Sequence, residues 1–165
     1  MKIGVVSDTH GQLRAVQAAL ARVGPLDLLL HAGDHYQDGF RLGQALKVTT
    51  KAVVGNCDLM VAGPEEEMLR LKGRRILLTH GHLYRVKRTY QLLINRAVEL
   101  AADIVVFGHT HLPVSFRDGG VLFLNPGSPV AGAGRDVRRT YAILHLQPIP
   151  RVDIIPLEPA RAKKG

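Results

Sequence analysis

The stretch Lys2-Ile3-Gly4-Val5-Val6-Ser7-Asp8-Thr9-His10-Gly11 decides how this chain is read. An apolar run of strand length, Lys2–Val6, leads straight into a carboxylate and an imidazole separated by one residue. In an extended segment, positions i and i+2 point the same way, so Asp8 and His10 can reach one cation. The same arrangement recurs down the chain. Leu26–Leu30 leads to Gly33-Asp34, and Lys51–Val54 to Gly55-Asn56-Cys57-Asp58. Arg75–Leu78 leads to His80-Gly81-His82, and Asp103–Phe107 to Gly108-His109-Thr110-His111. These clusters hold more carboxylate, carboxamide and imidazole donors than one metal ion can use, which points to two.

Helical spacing fills the gaps between these strands. Leu13, Val16, Leu20 and Val23 mark one helix, stopped by Gly24-Pro25. Phe40–Ala45 reads as a short helix, and Tyr90, Leu93, Ile94, Ala97 and Leu100 as an amphipathic one. Glu65–Leu71 fits either a helical turn or a strand. Beyond residue 113 the pattern becomes β-rich. Val114–Phe116 and Val121–Leu124 flank Asp118-Gly119-Gly120, a hairpin signal. Tyr141–Leu146 and Val152–Leu157 flank Pro148-Ile149-Pro150 as a second strand pair, and Gly132–Arg139 reads as a loop. An α/β half followed by β-rich chain predicts two sheets packed face to face with helices outside. Parallel strands would bring all five clusters to one edge. A single antiparallel strand among them would send its cluster to the other edge.

A length of 165 residues suits one domain, taken as residues 1–158, with a tail over residues 159–165. Apolar residues make up 46%, enough for a real core. No apolar run approaches bilayer length, and the first residues lack the features of a secretory signal, so a cytoplasmic protein without membrane contact is expected. The lone Cys57 rules out an internal disulfide, and the lack of cysteine pairs argues against a structural zinc knuckle. The formal charge of +8 is scattered, with Arg135, Arg138, Arg139 and the Arg161-Ala162-Lys163-Lys164 tail as small groupings. Such a surface suits any anionic substrate and does not demand nucleic acid. No aromatic-rich stretch offers base stacking.

Taken singly, each cluster has an ordinary structural reading. Asp34 is a helix cap or turn residue, Asn56 a turn asparagine, and a lone histidine usually a packed one. Together they carry chemistry. The two oxygens of Asp34 can bridge metals about 3.5–4 Å apart. Asn56 offers an oxygen without adding charge. Two H-x-H pairs beside Asp8 and Asp34 suit manganese, iron, zinc or nickel better than calcium. His35, next to Asp34, reads equally as a substrate contact, a residue backing a ligand or a merely exposed one; His31 and His145 read as structural or surface residues.

The order Asp8-Thr9-His10-Gly11, Gly33-Asp34, Gly55-Asn56-Cys57-Asp58, Thr79-His80-Gly81-His82, Gly108-His109-Thr110-His111 and Asn125-Pro126-Gly127-Ser128 resembles the calcineurin-like metallophosphoesterases. Within them it is most similar to the YfcE-like branch of small phosphodiesterases, over Met1 to about Ile143. The resemblance implies a four-layer αββα sandwich of two mixed sheets. It also implies ligand roles: Asp8, His10 and His111 on one metal, Asn56, His80 and His109 on the other, and Asp34 between them. His82, which spacing alone would count as a ligand, drops out. The implied reaction is hydrolysis of a small phosphodiester by a hydroxide held between two divalent ions, manganese first, with iron, zinc, nickel or magnesium as alternatives.

The broad family has a histidine, thought to protonate the leaving oxygen, where this chain has Cys57. This branch shares the cysteine, and Asp58 follows it as a partner for Cys57, a water or a ligand histidine. A thiol is a poor replacement for imidazole, which implies a preference for good leaving groups. The branch also implies a homodimer or homotetramer. The other functional readings are a protein-interaction scaffold, as in the retromer subunit that resembles this branch, and a nuclease or nucleotidase.

Overall fold

The computed structural model describes residues 1–130 and 138–157. The tail after residue 158, and all but the end of the loop expected over Gly132–Arg139, lie outside them.

Among the described residues the chain forms ten strands and three α-helices, in the order β1 (Lys2–Val6), α1 (Leu13–Val23), β2 (Leu28–His31), α2 (Tyr36–Leu46), β3 (Thr50–Ala52), β4 (Glu66–Leu71), β5 (Arg74–Thr79), α3 (Gln91–Glu99), β6 (Ile104–Val106), β7 (Val114–Asp118), β8 (Val121–Asn125), β9 (Thr140–His145) and β10 (Arg151–Pro156). They build two five-stranded sheets, β10-β9-β1-β2-β3 and β4-β5-β6-β8-β7. Both sheets are mixed. β1, β2 and β3 run parallel, as do β5, β6 and β8, and antiparallel strands complete the edges.

Alternation along the strands sorts the apolar residues into layers. Ile3, Val5, Leu28 and Leu30 of the first sheet meet Ile76, Leu78, Ile104, Val106, Leu122 and Leu124 of the second in the central core. Val6 and Leu29 face outward, onto Val16 and Leu20 of α1 and Leu42 of α2. Leu77, Val105 and Phe123 point the other way, onto Leu93 and Ala97 of α3. This is the expected four-layer αββα sandwich.

Several strand ends shift by one or two residues, β3 ending at Ala52 and β7 reaching Asp118, and three differences have a plain physical reason. Glu65–Leu71, left between helix and strand, contains β4, because Lys72 and Gly73 both adopt positive φ (49° and 75°). That is the pattern of a two-residue type I′ turn, which folds β4 back onto β5. Helix α2 starts at Tyr36 rather than Phe40. Its buried stripe is Asp38, Gly39, Leu42 and Gly43, with one large apolar residue, so hydrophobic periodicity hides its first turn. Strand β2 begins at Leu28, not Leu26. Leu26 packs in the layer of α1, and the Asp27 carboxylate accepts a hydrogen bond from the Lys2 backbone N–H at 2.6 Å.

Candidate metal centre

The five ligand-bearing strands, β1, β2, β3, β5 and β6, all run parallel within their sheets, so none of the five clusters is sent to the far edge. Hydrogen bonds then tie the strand ends to one another at that edge, the last of these crossing between the sheets. Gly108 N donates to His80 O at 3.1 Å, Asp8 N to Gly33 O at 2.9 Å and His109 N to Asp8 Oδ2 at 3.0 Å.

Donor atoms of Asp8, His10, Asp34 and His111 lie within 4.8 Å of one another. On the other side of Asp34, His80 Nε2 stands 3.4 Å from Asp34 Oδ1 and 3.2 Å from Asn56 Oδ1. His109 completes that side, its ring centroid 5.0 Å from that of His80. Asp34 thus presents Oδ2 to His10, at 3.9 Å, and Oδ1 to His80. His80 Nδ1 lies 2.8 Å from the Ala32 carbonyl, which accepts only from an N–H. That bond fixes the tautomer and leaves the Nε2 lone pair facing Asp34 and Asn56. Burial above all pushes His109 down to about 4, so it too offers a neutral nitrogen. The Asp8 contact raises His111 above its ordinary value.

Asp8 is fully buried. Burial works to raise its carboxyl, but His111, His80 and Ser7 outweigh it and hold it below the ordinary value. Its Oδ2 accepts from Ser7 Oγ at 2.6 Å. Its Oδ1 has no hydrogen-bond partner among the described residues, although His111 Nε2 stands 3.1 Å away. A buried carboxylate oxygen without a donor is costly alone and well suited to a cation. With oxygen and imidazole donors gathered on both sides of Asp34, the residues present fit two divalent ions.

The geometry that aims Asp8 and His10 is not the one expected. Neither is extended: φ is 54° at Asp8 and 43° at His10, and Asp34, His109 and His111 are likewise left-handed at 58°, 67° and 60°. Turns, not the shared face of a strand, bring the donors together. Left-handed backbone at non-glycine residues is unfavourable, and such strain gathers at functional sites. Surrounding bonds hold it here. Thr9 Oγ1 donates to Asp38 Oδ2 at 2.8 Å and meets His31 Nε2 at 3.0 Å, and Gly11 N donates to the same Asp38 oxygen at 2.8 Å. Ser128 Oγ donates to Asp8 O at 2.8 Å, and Asn125 Nδ2 to Gly108 O at 2.7 Å and Thr110 Oγ1 at 3.0 Å. Two glycines of the motifs are required by close approach. A Cβ at Gly108 would overlap Ser7 Oγ and come within 2.8 Å of Asp8 Oδ2, and one at Gly55 would overlap the Asp34 carboxylate.

Sequence reasoning missed Asp38 and Ser7. Neither belongs to a motif or a spacing that the sequence displays. Asn125 and Ser128 were reachable only through the resemblance. His82 stands at the margin, its ring 5.3 Å from that of His80, with a buried Nδ1 that has no partner among the described residues. His35 packs edge-on to His10, ring centroids 4.9 Å apart. His145 pairs with Asp153 at 2.9 Å, away from the centre. Arg138 is exposed, and Arg135 lies outside the described residues.

Cys57 is exposed, and its backbone N–H donates to Asp34 Oδ1 at 2.9 Å. Burial and the neighbouring Asp34 push the thiol up to about 11, so it carries its proton at neutral pH. Both Asp58 oxygens accept backbone N–H groups, Oδ1 from Tyr36 at 2.7 Å and Oδ2 from Gly55 at 2.8 Å. Asp58 therefore ties the Asp34 loop to the Asn56 loop.

Fold and site together define a metal-binding hydrolase centre at the strand ends of a two-sheet sandwich. The family model described as the calcineurin-like phosphoesterase superfamily domain matches residues 1–148. The chain is 38% identical over 150 residues to the probable metallophosphoesterase YsnB of Bacillus subtilis, covering 89% of this chain and 85% of that protein. It is 31% identical over 154 residues to the phosphodiesterase YfcE of Escherichia coli K12, covering 78% and 79%. The crystal structure of a predicted phosphoesterase from Streptococcus pneumoniae TIGR4 superposes with a TM-score of 0.80 at 32% identity, covering 94% of this chain and 88% of that one. This chain belongs to the calcineurin-like phosphoesterase superfamily and is a phosphoric ester hydrolase. Among the described residues no helix is long and apolar enough to cross a membrane.

Proposed function

We propose that this protein hydrolyses small phosphodiesters using two divalent metal ions, manganese first among them. The observation that carries the reading is Asp34, whose two oxygens face two separate donor groups. Asp8, His10 and His111 would hold one ion, and Asn56, His80 and His109 the other, with Asp34 shared. Such a pair of ions supplies Lewis acidity toward the phosphoryl oxygens and an acidified water as nucleophile. The protein's own work is to fix the donors. Asp38, Ser128 and Asn125 lock the left-handed loops, and Ala32 O sets the His80 tautomer. A cytoplasmic location and a homodimer or homotetramer belong to the same reading, carried by the resemblance.

Purified protein stripped with a chelator is expected to hydrolyse bis(4-nitrophenyl) phosphate only after manganese is restored. Metal-independent release of nitrophenolate, or none with any divalent ion, would refute the reading; the second result would favour a scaffold.

Cys57 is the proposed proton donor to the leaving oxygen, with Asp58 positioning its loop. A protonated thiol of such weak acidity helps a departing phenolate little. Across diesters with leaving phenols of decreasing acidity, Cys57→His is expected to make the fall in kcat/KM shallower. Equal slopes in the two proteins would remove position 57 from proton transfer.

A further inference from the structure

A groove of about 510 Å³ opens beside the metal centre, with Lys87, Arg88, Tyr90, Thr110 and Leu112 among its lining residues. Its volume falls within the roughly 300–1,000 Å³ of small-molecule sites. Thr110 lies between His109 and His111, so one wall of the groove is the loop that carries two candidate ligands.

Val86, Lys87 and Arg88, from the basic stretch Arg85-Val86-Lys87-Arg88, also line the groove. Lys87 and Arg88 are exposed, and neither has a carboxylate within ion-pair distance among the described residues. Tyr90 gives the groove a rigid side, its ring 5.5 Å from Phe107 and 5.2 Å from Phe116. Leu112, 55% exposed, offers an apolar surface at the mouth.

We propose that this groove seats the non-reacting arm of the substrate, and that Lys87 and Arg88 select an arm carrying a second negative charge. The inference rests on the phosphodiesterase reading and names its substrate class: a diester between two organic groups, one bearing a carboxylate, sulfonate or phosphate. The reacting phosphoryl group sits at the donors of Asp34, and the arm extends past Thr110 between the basic stretch and Leu112.

The test compares 4-nitrophenyl phenyl phosphate with 4-nitrophenyl 4-carboxyphenyl phosphate on the manganese-loaded enzyme at low salt. Both release 4-nitrophenolate, and they differ in the charge of the retained arm. Each exposed charge contact contributes about twofold to fivefold, so kcat/KM is expected to favour the carboxylate ester by roughly tenfold. The preference should shrink as salt is added. In the Lys87→Gln/Arg88→Gln double variant the ratio of the two kcat/KM values should fall to about one. Lys87→Glu should turn the preference toward the phenyl ester. Equal use of the two esters by the parent protein, or a preference that survives the double variant, overturns the groove's role. Hydrolysis of neither ester overturns the phosphodiesterase reading itself, and the groove's role with it.

Discussion

Asp34→Asn is expected to lower manganese-supported kcat/KM for bis(4-nitrophenyl) phosphate by about a thousandfold or more, equivalent to roughly 4 kcal/mol of transition-state stabilisation. The substitution keeps the volume of the side chain, and its remaining oxygen can still accept the Cys57 N–H that Asp34 Oδ1 accepts at 2.9 Å. The loop geometry therefore has a reason to survive. What is lost is the second anionic oxygen, and with it a side chain whose two oxygens face the two donor groups separately. An amide nitrogen in that place presents hydrogens toward a site lined by His10 and His80. Bound manganese per chain should fall from two toward one or none, while the far-ultraviolet circular dichroism stays that of the parent. Parent-like hydrolysis in the variant would remove Asp34 from the reaction, and with it the assignment of two ions.

The elements that carry the site were legible because burial on both faces leaves a plain record. β2, β5 and β6 read as apolar runs, and the donors follow at their ends because parallel strands share a carboxyl edge. α2 was only half legible, since a stripe built from Asp38, Gly39, Leu42 and Gly43 has almost no hydrophobic signal. The donors were legible as residue types and not as geometry. A D-x-H pair suggests an extended segment, whereas Asp8 and His10 are held left-handed by contacts from Thr9, Asp38 and Ser128. Those contacts span 27 to 120 positions in sequence, a range at which no local pattern reports. The same holds for Gly108, whose need for a bare Cα comes from Ser7 and Asp8 on the other sheet.

The second large effect concerns acid stability and centres on His31. This side chain is fully buried at the end of β2, beneath α2. Thr9 gives its hydroxyl hydrogen to Asp38 Oδ2, so the His31 Nε2 contact at 3.0 Å must be an N–H donated to Thr9. The other nitrogen, Nδ1, then bears a lone pair and has no partner among the described residues. A proton added there would be a buried charge without an acceptor. Burial accordingly pushes His31 down to about 4 from an ordinary 6.5, against the opposing pull of Asp8 and Asp38. Above pH 6.5 the ring is neutral whether the chain is folded or unfolded, and its contribution to stability is fully present. As pH falls below 6.5 the unfolded chain takes up a proton that the folded chain refuses, until the folded ring also titrates near 4. The loss across that window is about 3 kcal/mol. Urea denaturation of chelator-treated protein is expected to show the parent's stability advantage over His31→Gln shrinking by about that amount between pH 7 and pH 4. A difference that is constant with pH would mean that His31 does not titrate on unfolding.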